Sequence, residues 1–247
     1  MKAALVTGAG RRIGATVARR LAAAGYAVAL HCRASQGDAE ALADNIRAGG
    51  GRAKICMADL GDPAAPAKLI RQAADAIGPL TALVNCASSF EEDEVGSLDV
   101  AVWDRQMAVN LRAPVFLTEA FAAQAQEGVD ACVVNILDQR VLKLTPQAVS
   151  YTLSKAALTT ATTTLAQALA PKVRVVGVGP GPTLPNPRQS AEDFAAQAAS
   201  TPLGRASTPD DIADAVLFLL GAHSVTGVML PVDAGQHLAW QTADAID

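Results

Sequence analysis

Short apolar segments alternate with longer alanine-rich segments along the chain. The longer segments carry apolar residues at the helical period, whereas the short ones have the length and apolar side chains of buried strands. The seven short segments begin at Lys2, Ala27, Ala53, Thr81, Ala131, Val173 and Val228. A β-α repeat of this kind calls for a parallel sheet covered by helices on both faces. The sequence therefore predicts an α/β fold with seven strands and about six helices.

Glycine and proline mark the ends of several predicted helices. Gly25 and the run Gly49 to Gly51 favour helix ends, while Pro209, followed by two aspartates, favours a helix start. No internal repeat or linker divides the chain. We therefore expect one Rossmann-type, doubly wound domain that spans residues 1–247.

One stretch interrupts the alternation. The sequence GPGPTLPNPRQ from Gly179 is too rich in proline for a helix or a central strand. We expect a loop over the carboxyl edge of the sheet, followed by a short mobile helix around Ala191 to Ala199. A segment of about residues 182–205 is the predicted substrate loop.

Composition narrows the class of partner. The 247 residues are 51% hydrophobic, which suffices for a buried core, and the formal net charge is -4. There is no run of five lysines or arginines, so nucleic acid and anionic membranes are not expected as main partners. A small-molecule partner fits better. The chain shows no signal-peptide pattern and no apolar run of about 18 residues, so we expect a cytoplasmic protein.

The cysteines and histidines do not have the spacing of a metal site. The four cysteines form no C-x-x-C pair, and the three histidines form no H-x-x-x-H pair. Each cysteine falls within or at the end of an apolar segment, which is typical of reduced core thiols. No metal site is predicted.

Ligands of doubly wound sheets bind beyond the carboxyl ends of the strands. The segments predicted at that edge are Gly8 to Gly14, Cys32 to Ser35, Asp59 and Leu60, Asn85 to Phe90, Ile136 to Arg140, and Gly179 to Leu184.

Tyr151 and Lys155, in YTLSK, are four residues apart near the start of a helical segment, so both project from one helical face. An ammonium about 4 Å from a phenolate contributes roughly 4 kcal/mol at an effective dielectric near 20. This predicts that Lys155 lowers the pKa of Tyr151 and that the tyrosine exchanges a proton near neutral pH. Two unrelated surface residues are the alternative interpretation.

The end of the second strand indicates the cofactor. NAD-binding proteins place an acidic residue here for the ribose hydroxyl, whereas NADP-binding proteins place arginine. The sequence HCRAS supplies Arg33 and Ser35, and no acidic residue precedes Asp38. Because Arg11 and Arg33 can both reach a 2′-phosphate, the sequence predicts NADPH as the cofactor.

The order of the motifs resembles that of the short-chain dehydrogenase/reductase family. TGxxxxxG is followed by NCASSF, Asn110, NILD, YTLSK and VGPGPT, and the resemblance extends to PVDAGQHL near the end. It implies that Tyr151 is the general acid/base and that Lys155 binds the ribose and lowers the tyrosine pKa. It also implies that Asn110 holds a proton-relay water.

Three departures from the usual family pattern resemble the pteridine reductase branch and the bacterial dihydromonapterin reductases. Arg12 stands in place of the middle glycine of T-G-x-x-x-G-x-G, NCAS replaces N-N-A-G, and Asp138 replaces the usual serine. The branch implies that Phe90 stacks a flat pterin, and an aspartate can accept hydrogen bonds from pterin N-H groups. Arg12 would place a cation beside the cofactor phosphates at a helix N-terminus.

These arguments define the candidate site. The catalytic candidates are Tyr151, Lys155, Asp138 and Asn110. Substrate contacts are expected from Phe90, Asp138, Tyr151 and Leu184. Cofactor contacts are expected from Gly8, Arg11, Arg12, Ile13, His31, Arg33, Ser35, Asp59, Leu60, Asn85, Ala87, Ser88, Tyr151, Lys155, Pro180, Gly181 and Thr183.

The predicted function is therefore NADPH-dependent reduction of a dihydropterin or a similar fused heterocycle. The resemblance also implies a homotetramer. Structural alternatives are a solvated helix residue for Arg12, a loop anchor for Phe90 and a turn cap for Asp138. Two other functions remain open, a reductase of 3-oxoacyl or other carbonyl compounds and a non-catalytic NADP-sensing module.

Overall fold

The computed structural model describes residues 2–186 and 189–240 and contains the predicted parallel sheet. The strand order is β3-β2-β1-β4-β5-β6-β7, and every neighbouring pair is parallel. The strands are β1 Ala3–Val6, β2 Ala27–Cys32, β3 Arg52–Met57, β4 Ala82–Asn85, β5 Ala131–Ile136, β6 Val173–Pro180 and β7 Met229–Val232. The seven predicted strands are confirmed, with end shifts of one or two residues.

At least one helix follows each of the first six strands, as the alternation predicts, and two follow the sixth. The helices are α1 Arg12–Ala23, α2 Gln36–Ala48, α3 Ala65–Ile77, α4 Val100–Met107, α5 Ala113–Gln124, α6 Val149–Leu169, α7 Ala191–Ala199 and α8 Pro209–Gly221. A π-helical turn, Ala108–Arg112, joins α4 to α5, so these two form one unit. The short helix predicted after the proline-rich stretch is α7.

Alternate residues of the central strands supply two separate cores. In β1, Ala4 and Val6 pack with α1, α2 and α8 on one face, while Ala3 and Leu5 pack with α3, α5 and α6 on the other. All four of these side chains are buried. A strand that is buried on both faces has few positions that face water, which is why these segments are mostly apolar.

The sixth strand is longer than expected. Gly179 and Pro180 belong to β6, where they pair with Pro231 and Val232 of β7, so the prediction that a loop begins at Gly179 was wrong. The pairing with β5 ends at Val178. Beyond that point β6 has a neighbour on one side only, and a proline can occupy such an edge without removing a hydrogen bond of the ladder.

Helix α6 is held along one buried face by three side-chain hydrogen bonds. They join Gln106 Nε2 to Ser150 Oγ at 2.6 Å, Asn110 Nδ2 to Ser154 Oγ at 3.1 Å and Asn135 Nδ2 to Thr162 Oγ1 at 2.9 Å. The partners lie on α4, on the π-helical turn and on β5, so the helix is fixed both to its neighbour and to the sheet.

Some predictions fall outside the described residues. The predicted domain, residues 1–247, includes residue 1 and residues 241–247, and the predicted substrate loop includes residues 187–188. Among the described residues, no helix is long and apolar enough to cross a membrane.

Candidate active site

A cavity of about 580 Å³ lies at the carboxyl ends of the central strands, where the strand order reverses between β1 and β4. Most of the predicted site residues line it. These are Gly8, Arg11, Arg12, Ile13, His31, Arg33, Leu60, Ala87, Ser88, Phe90, Asp138, Tyr151, Lys155, Pro180, Gly181, Thr183 and Leu184. The cavity wall does not include Ser35, Asp59, Asn85 or Asn110.

The loop between β1 and α1 is shaped so that backbone can approach closely. Gly8 has a φ of +66°, and a Cβ atom there would lie 2.9 Å from Cα of Ala87. A Cβ atom on Gly14 would collide with the carbonyl oxygen of Gly8. No side chain caps the N-terminus of α1, and its first turn holds no acidic residue. The free N-H groups and the helix dipole therefore favour an anion in the cavity.

Arg12 adopts a backbone conformation that favours glycine. Its φ is +54°, in the left-handed region. The guanidinium donates hydrogen bonds to the carbonyl oxygens of Pro185 at 2.9 Å and Leu184 at 3.2 Å. The side chain thus joins the glycine-rich loop to the segment that follows β6, a contact that the sequence did not indicate.

His31 and Thr7 hold the backbone of the cavity floor. The His31 ring accepts a hydrogen bond at Nδ1 from Gly8 N, at 3.2 Å, and its Nε2 lies 3.1 Å from Ala58 O, so the neutral Nε2-H tautomer satisfies both contacts. Burial lowers the pKa of His31. Thr7 Oγ1 accepts hydrogen bonds from the amides of Cys86 and Ala87. His31 therefore holds the loop between β1 and α1 through Nδ1, and it also lines the cavity.

Arginine side chains form part of the cavity wall, and they include Arg11, Arg33 and Arg105. Arg33 is exposed and forms no hydrogen bond with the residues that the structure describes, whereas Arg11 forms an ion pair with Asp38. Arg105, which sequence reasoning missed, donates to Asp59 Oδ1 at 2.8 Å. A hydrogen bond from the backbone of Gly61, and then Arg105, lowers the pKa of Asp59.

Ser35 lies beside Gly10, and neither residue lines the cavity. A Cβ atom on Gly10 would lie 3.1 Å from Cβ of Ser35 and would collide with its hydroxyl. The absence of a side chain at Gly10 therefore makes room for Ser35.

Tyr151 donates a hydrogen bond from its hydroxyl to Asp138 Oδ2 at 2.9 Å. The other oxygen, Asp138 Oδ1, accepts from the amide of Arg140, so this aspartate caps a helical turn and also contacts the tyrosine. Because Tyr151 is buried and faces a carboxylate, its pKa is raised well above the ordinary value.

The prediction that Lys155 lowers the pKa of Tyr151 was wrong for this arrangement. Lys155 Nζ donates to Ile136 O at 2.8 Å and lies 5.7 Å from the centroid of the tyrosine ring. Burial lowers the pKa of Lys155 itself. Spacing along the helix places both side chains on one face, but it does not reveal which acceptor each side chain reaches.

Phe90 packs edge-on against Tyr151, with the ring centroids 4.8 Å apart and an interplanar angle of 85°. Phe90 is 37% exposed and lines the cavity together with Tyr151, so part of its surface remains open. A flat apolar ligand can cover that surface.

Asn110 is fully buried and uses all four hydrogen-bonding positions of its amide group. Its Oδ1 accepts from Ser89 N and Ser88 Oγ, and its Nδ2 donates to Ser89 O and Ser154 Oγ. The side chain therefore braces the segment before Phe90. A water held by Asn110 would have to bind its main chain, within the π-helical turn.

Asn85, a predicted cofactor contact, is buried and donates from Nδ2 to Asn135 Oδ1 at 2.8 Å. Its Oδ1 is buried and has no hydrogen-bond partner among the described residues. The side chain lies between two strands, behind the cavity wall.

Further residues that sequence reasoning missed line or brace the site. Gln106 is fully buried and bonds both main-chain polar groups of Glu91. The buried carboxylate of Asp93 accepts from the amide of Ser150. A buried glutamine in an amphipathic helix gives no sequence signal. Of the other lining residues, Val109 and Asn186 were also missed, whereas the segments predicted at this edge include Gly14, Cys86, Ser89, Ile136 and Leu137.

Among the described residues, no group of three or more histidine, cysteine or acidic side chains could hold a metal ion.

Comparisons with known proteins agree with the geometry. The family model described as short chain dehydrogenase matches residues 2–195. Pteridine reductase 1 of Leishmania tarentolae is 33% identical, over 95% of this chain and 96% of that protein. The 2-(S)-hydroxypropyl-CoM dehydrogenase 3 of Xanthobacter autotrophicus is 35% identical, over 93% of this chain and 94% of that protein.

The structural match is closer still. The structure of FolM alternative dihydrofolate reductase 1 from Brucella canis, complexed with NADP, superimposes with a TM-score of 0.96 at 49% identity. The match covers 99% of this chain and 97% of that one. Together with the strand order, the open N-terminus of α1 and the Tyr151–Lys155 helix, these matches show that the chain belongs to the short-chain dehydrogenase/reductase family of oxidoreductases.

Proposed function

We propose that this protein is an NADPH-dependent reductase of a dihydropterin or a similar fused heterocycle. The observation that carries the proposal is the Asp138 carboxylate, which lies 2.9 Å from the Tyr151 hydroxyl in a cavity that Phe90 also lines. Dihydrofolate contains a dihydropterin ring, so the names of two relatives agree with this substrate class.

The residues predicted to bind the cofactor fit NADPH. The uncapped N-terminus of α1, and a loop in which Gly8 and Gly14 leave no room for a Cβ atom, would accept the pyrophosphate. The exposed guanidinium of Arg33 would bind the 2′-phosphate, to which arginine can donate paired hydrogen bonds. The buried ammonium of Lys155 would bind the ribose hydroxyls. When bound, NADPH supplies the hydride.

Tyr151 is the proton donor in this proposal. Its raised pKa keeps the hydroxyl protonated, which suits reduction, because the nitrogen of a reduced C=N bond must take up a proton while the carbon takes up the hydride. Asp138 would orient the substrate. Each of its oxygens accepts one hydrogen bond from the protein, and each carboxylate oxygen has a second lone pair for a pterin N-H group.

The test is the Asp138→Ser variant, assayed with a dihydropterin and with a simple ketone or quinone. A heterocycle would lose an acceptor for its N-H groups, so kcat/KM on the dihydropterin should fall about tenfold or more, equivalent to roughly 1 to 3 kcal/mol. Activity on the ketone or quinone should stay level or rise, since serine can donate to a carbonyl oxygen. The consumption of NADPH is followed at 340 nm.

Phe90→Ala is a second test of the residues predicted to contact the substrate. It should share the loss on the dihydropterin and leave the affinity for NADPH nearly unchanged. Full turnover of the dihydropterin by Asp138→Ser would refute the proposal.

A carbonyl reductase is the second candidate, since a hydroxyalkyl dehydrogenase is also a relative. It predicts that the parent protein reduces a 3-oxoacyl ester and leaves the dihydropterin untouched. A cofactor-sensing module predicts no turnover with any substrate, which the intact Tyr151 and Lys155 pair disfavours.

A further inference from the structure

Two buried amide side chains hold the main chain on either side of Phe90 in the same way. Asn110 Oδ1 accepts from the amide of Ser89, and its Nδ2 donates to the carbonyl oxygen of Ser89, both at 2.8 Å. Gln106 Oε1 accepts from the amide of Glu91 at 3.4 Å, and its Nε2 donates to the carbonyl oxygen of Glu91 at 3.1 Å. Phe90 is the residue between these two fixed points.

Each amide group also reaches the helix that carries Tyr151. Gln106 Nε2 donates to Ser150 Oγ at 2.6 Å, and Asn110 Nδ2 donates to Ser154 Oγ at 3.1 Å. The two amide residues are four positions apart, as are the two serines, so the second bridge repeats the first about one helical turn further along. The Ser154 hydroxyl in turn donates to Tyr151 O at 2.7 Å. Two equivalent bridges therefore join this segment to α6.

The bridges are closed to water. The amide and serine side chains that form them are each 0% exposed. A polar group that lost its partner here would therefore stay unsatisfied. The Phe90 ring packs edge-on against Tyr151, with the ring centroids 4.8 Å apart. Its place beside the tyrosine thus depends on main chain that the bridges hold.

A third attachment lies beyond the Gln106 bridge. The amide of Val149 donates to Asp93 O at 3.3 Å, and the amide of Ser150 donates to the buried Asp93 carboxylate at 3.1 Å. The segment from Ser89 to Asp93 is therefore held at both ends as well as at Glu91. Loss of the middle attachment would loosen the segment without detaching it.

We propose that Gln106 is a positioning residue that sets the affinity for the substrate by fixing Phe90 beside Tyr151. Gln106 does not line the cavity, so it acts through Phe90, which does. The proposal rests on the proposed function, in which the Phe90 ring contacts the dihydropterin.

The test variant is Gln106→Met, which keeps a long unbranched side chain and removes the three hydrogen bonds of the amide group. Hydrogen exchange in peptides that contain Glu91 should quicken about tenfold without any ligand, because the lost hydrogen bonds make local opening easier. The KM for the dihydropterin should rise about fivefold, while kcat and the Kd for NADPH change by less than about twofold.

A double-mutant cycle separates positioning from a general loss of structure. If Gln106 acts through the phenylalanine ring, Gln106→Met should not raise KM further once Phe90 is replaced by alanine. Two independent losses would instead multiply in the double variant. Ser150→Ala removes only the link from Gln106 to α6, so its KM should lie between those of the parent and Gln106→Met.

Gln124 provides the matched control. Its amide group, on α5, holds both main-chain polar groups of Leu80, each at 3.0 Å. Leu80 precedes β4, at the end of the sheet away from the cavity. Gln124→Met should therefore quicken exchange at Leu80 and leave KM and the exchange at Glu91 unchanged.

The proposal is overturned if Gln106→Met leaves exchange at Glu91 unchanged, or if it raises KM by the same factor in the Phe90→Ala background as in the parent. A loss that appears in the Kd for NADPH instead of KM would also overturn it. If Gln106→Met does not fold, Ser150→Ala carries the same comparisons. If the parent protein does not reduce the dihydropterin, the proposed function fails, while the exchange measurement still decides whether Gln106 fixes this segment.

Discussion

The hydrogen bond between Tyr151 and Asp138 links two acidic groups that would repel each other if both were charged. The tyrosine therefore holds its proton for as long as the carboxylate faces it. In the proposed reduction this is useful, because Tyr151 must be protonated to act as the proton donor. The proposal therefore predicts that the alkaline limit of activity depends on residue 138.

The first residue-scale prediction concerns that limit. Burial and Asp138 both raise the pKa of Tyr151, so the proton donor is present below this raised pKa and is lost as the pH rises through it. Asp138→Asn removes the negative charge, and the alkaline limb of kcat/KM for reduction should move to lower pH by about one unit or more. Phe90→Ala, which removes a ring and no charge, should leave the limb where it is. An unmoved limb in Asp138→Asn would show that another group controls it.

At the scale of secondary structure elements, the C-terminus of α8 depends on one buried arginine of β6. Arg174 donates to the carbonyl oxygens of Leu219, Leu220 and Ala222 at the end of the helix. It also forms a two-pronged ion pair with Asp130. The guanidinium satisfies carbonyl groups that a helix end leaves without partners. The end of α8 and the start of β6 are thereby fixed at the sheet edge opposite the cavity.

Arg174→Lys should therefore lower the free energy of unfolding. A lysine has three donors and no fixed plane, so several of these carbonyl groups lose their partner, at a cost of about 2 to 3 kcal/mol. Urea denaturation followed by circular dichroism measures the loss, and the Kd for NADPH of the folded variant should stay unchanged. A stability within about 0.5 kcal/mol of the parent would mean that water replaces the arginine without cost.

At the scale of the whole molecule, ligand binding and folding are coupled, because the cavity is assembled from residues at or after the ends of six strands, β1 to β6. A ligand that binds only the folded state stabilises all of it. The homotetramer that the family resemblance implies remains a prediction. The exposed side chains of Phe116 on α5 and Phe218 on α8 are available for such an assembly.

Thermal unfolding in the presence of NADPH, and separately of NADH, should reveal the preference for NADPH. NADPH should raise the Tm more than NADH at equal concentration, because only the former carries the phosphate for Arg33. Arg33→Asp should reduce the ratio of the two affinities by about tenfold, or roughly 1.4 kcal/mol, through repulsion of the phosphate. Arg19→Gln removes an exposed arginine of α1 that does not line the cavity, and it serves as the control. An unchanged ratio in Arg33→Asp would place the phosphate elsewhere.

The sequence predicted the fold well because parallel strands, which are buried on both faces, leave an unmistakable apolar signal. It predicted most of the cavity for a related reason, since the residues after each strand must meet at one edge. It did not predict which groups pair within that edge. Lys155 bonds the carbonyl of Ile136 rather than the tyrosine, and Arg12 reaches Leu184 across a gap of 172 residues. Such pairings depend on side-chain reach in three dimensions, which spacing along the chain does not encode.

The three buried hydrogen bonds along α6 are independent of the segment that follows β6. They anchor the helix that carries Tyr151 and Lys155 to α4, to the π-helical turn and to β5, and none of them involves residues 182–205. Tyr151 is thus anchored to the sheet and to neighbouring helices, while the described part of the segment after β6 contributes Thr183 and Leu184 to the cavity wall. An exchange of this segment would therefore alter the cavity wall at Thr183 and Leu184 and leave the anchoring of Tyr151 and Lys155 unchanged.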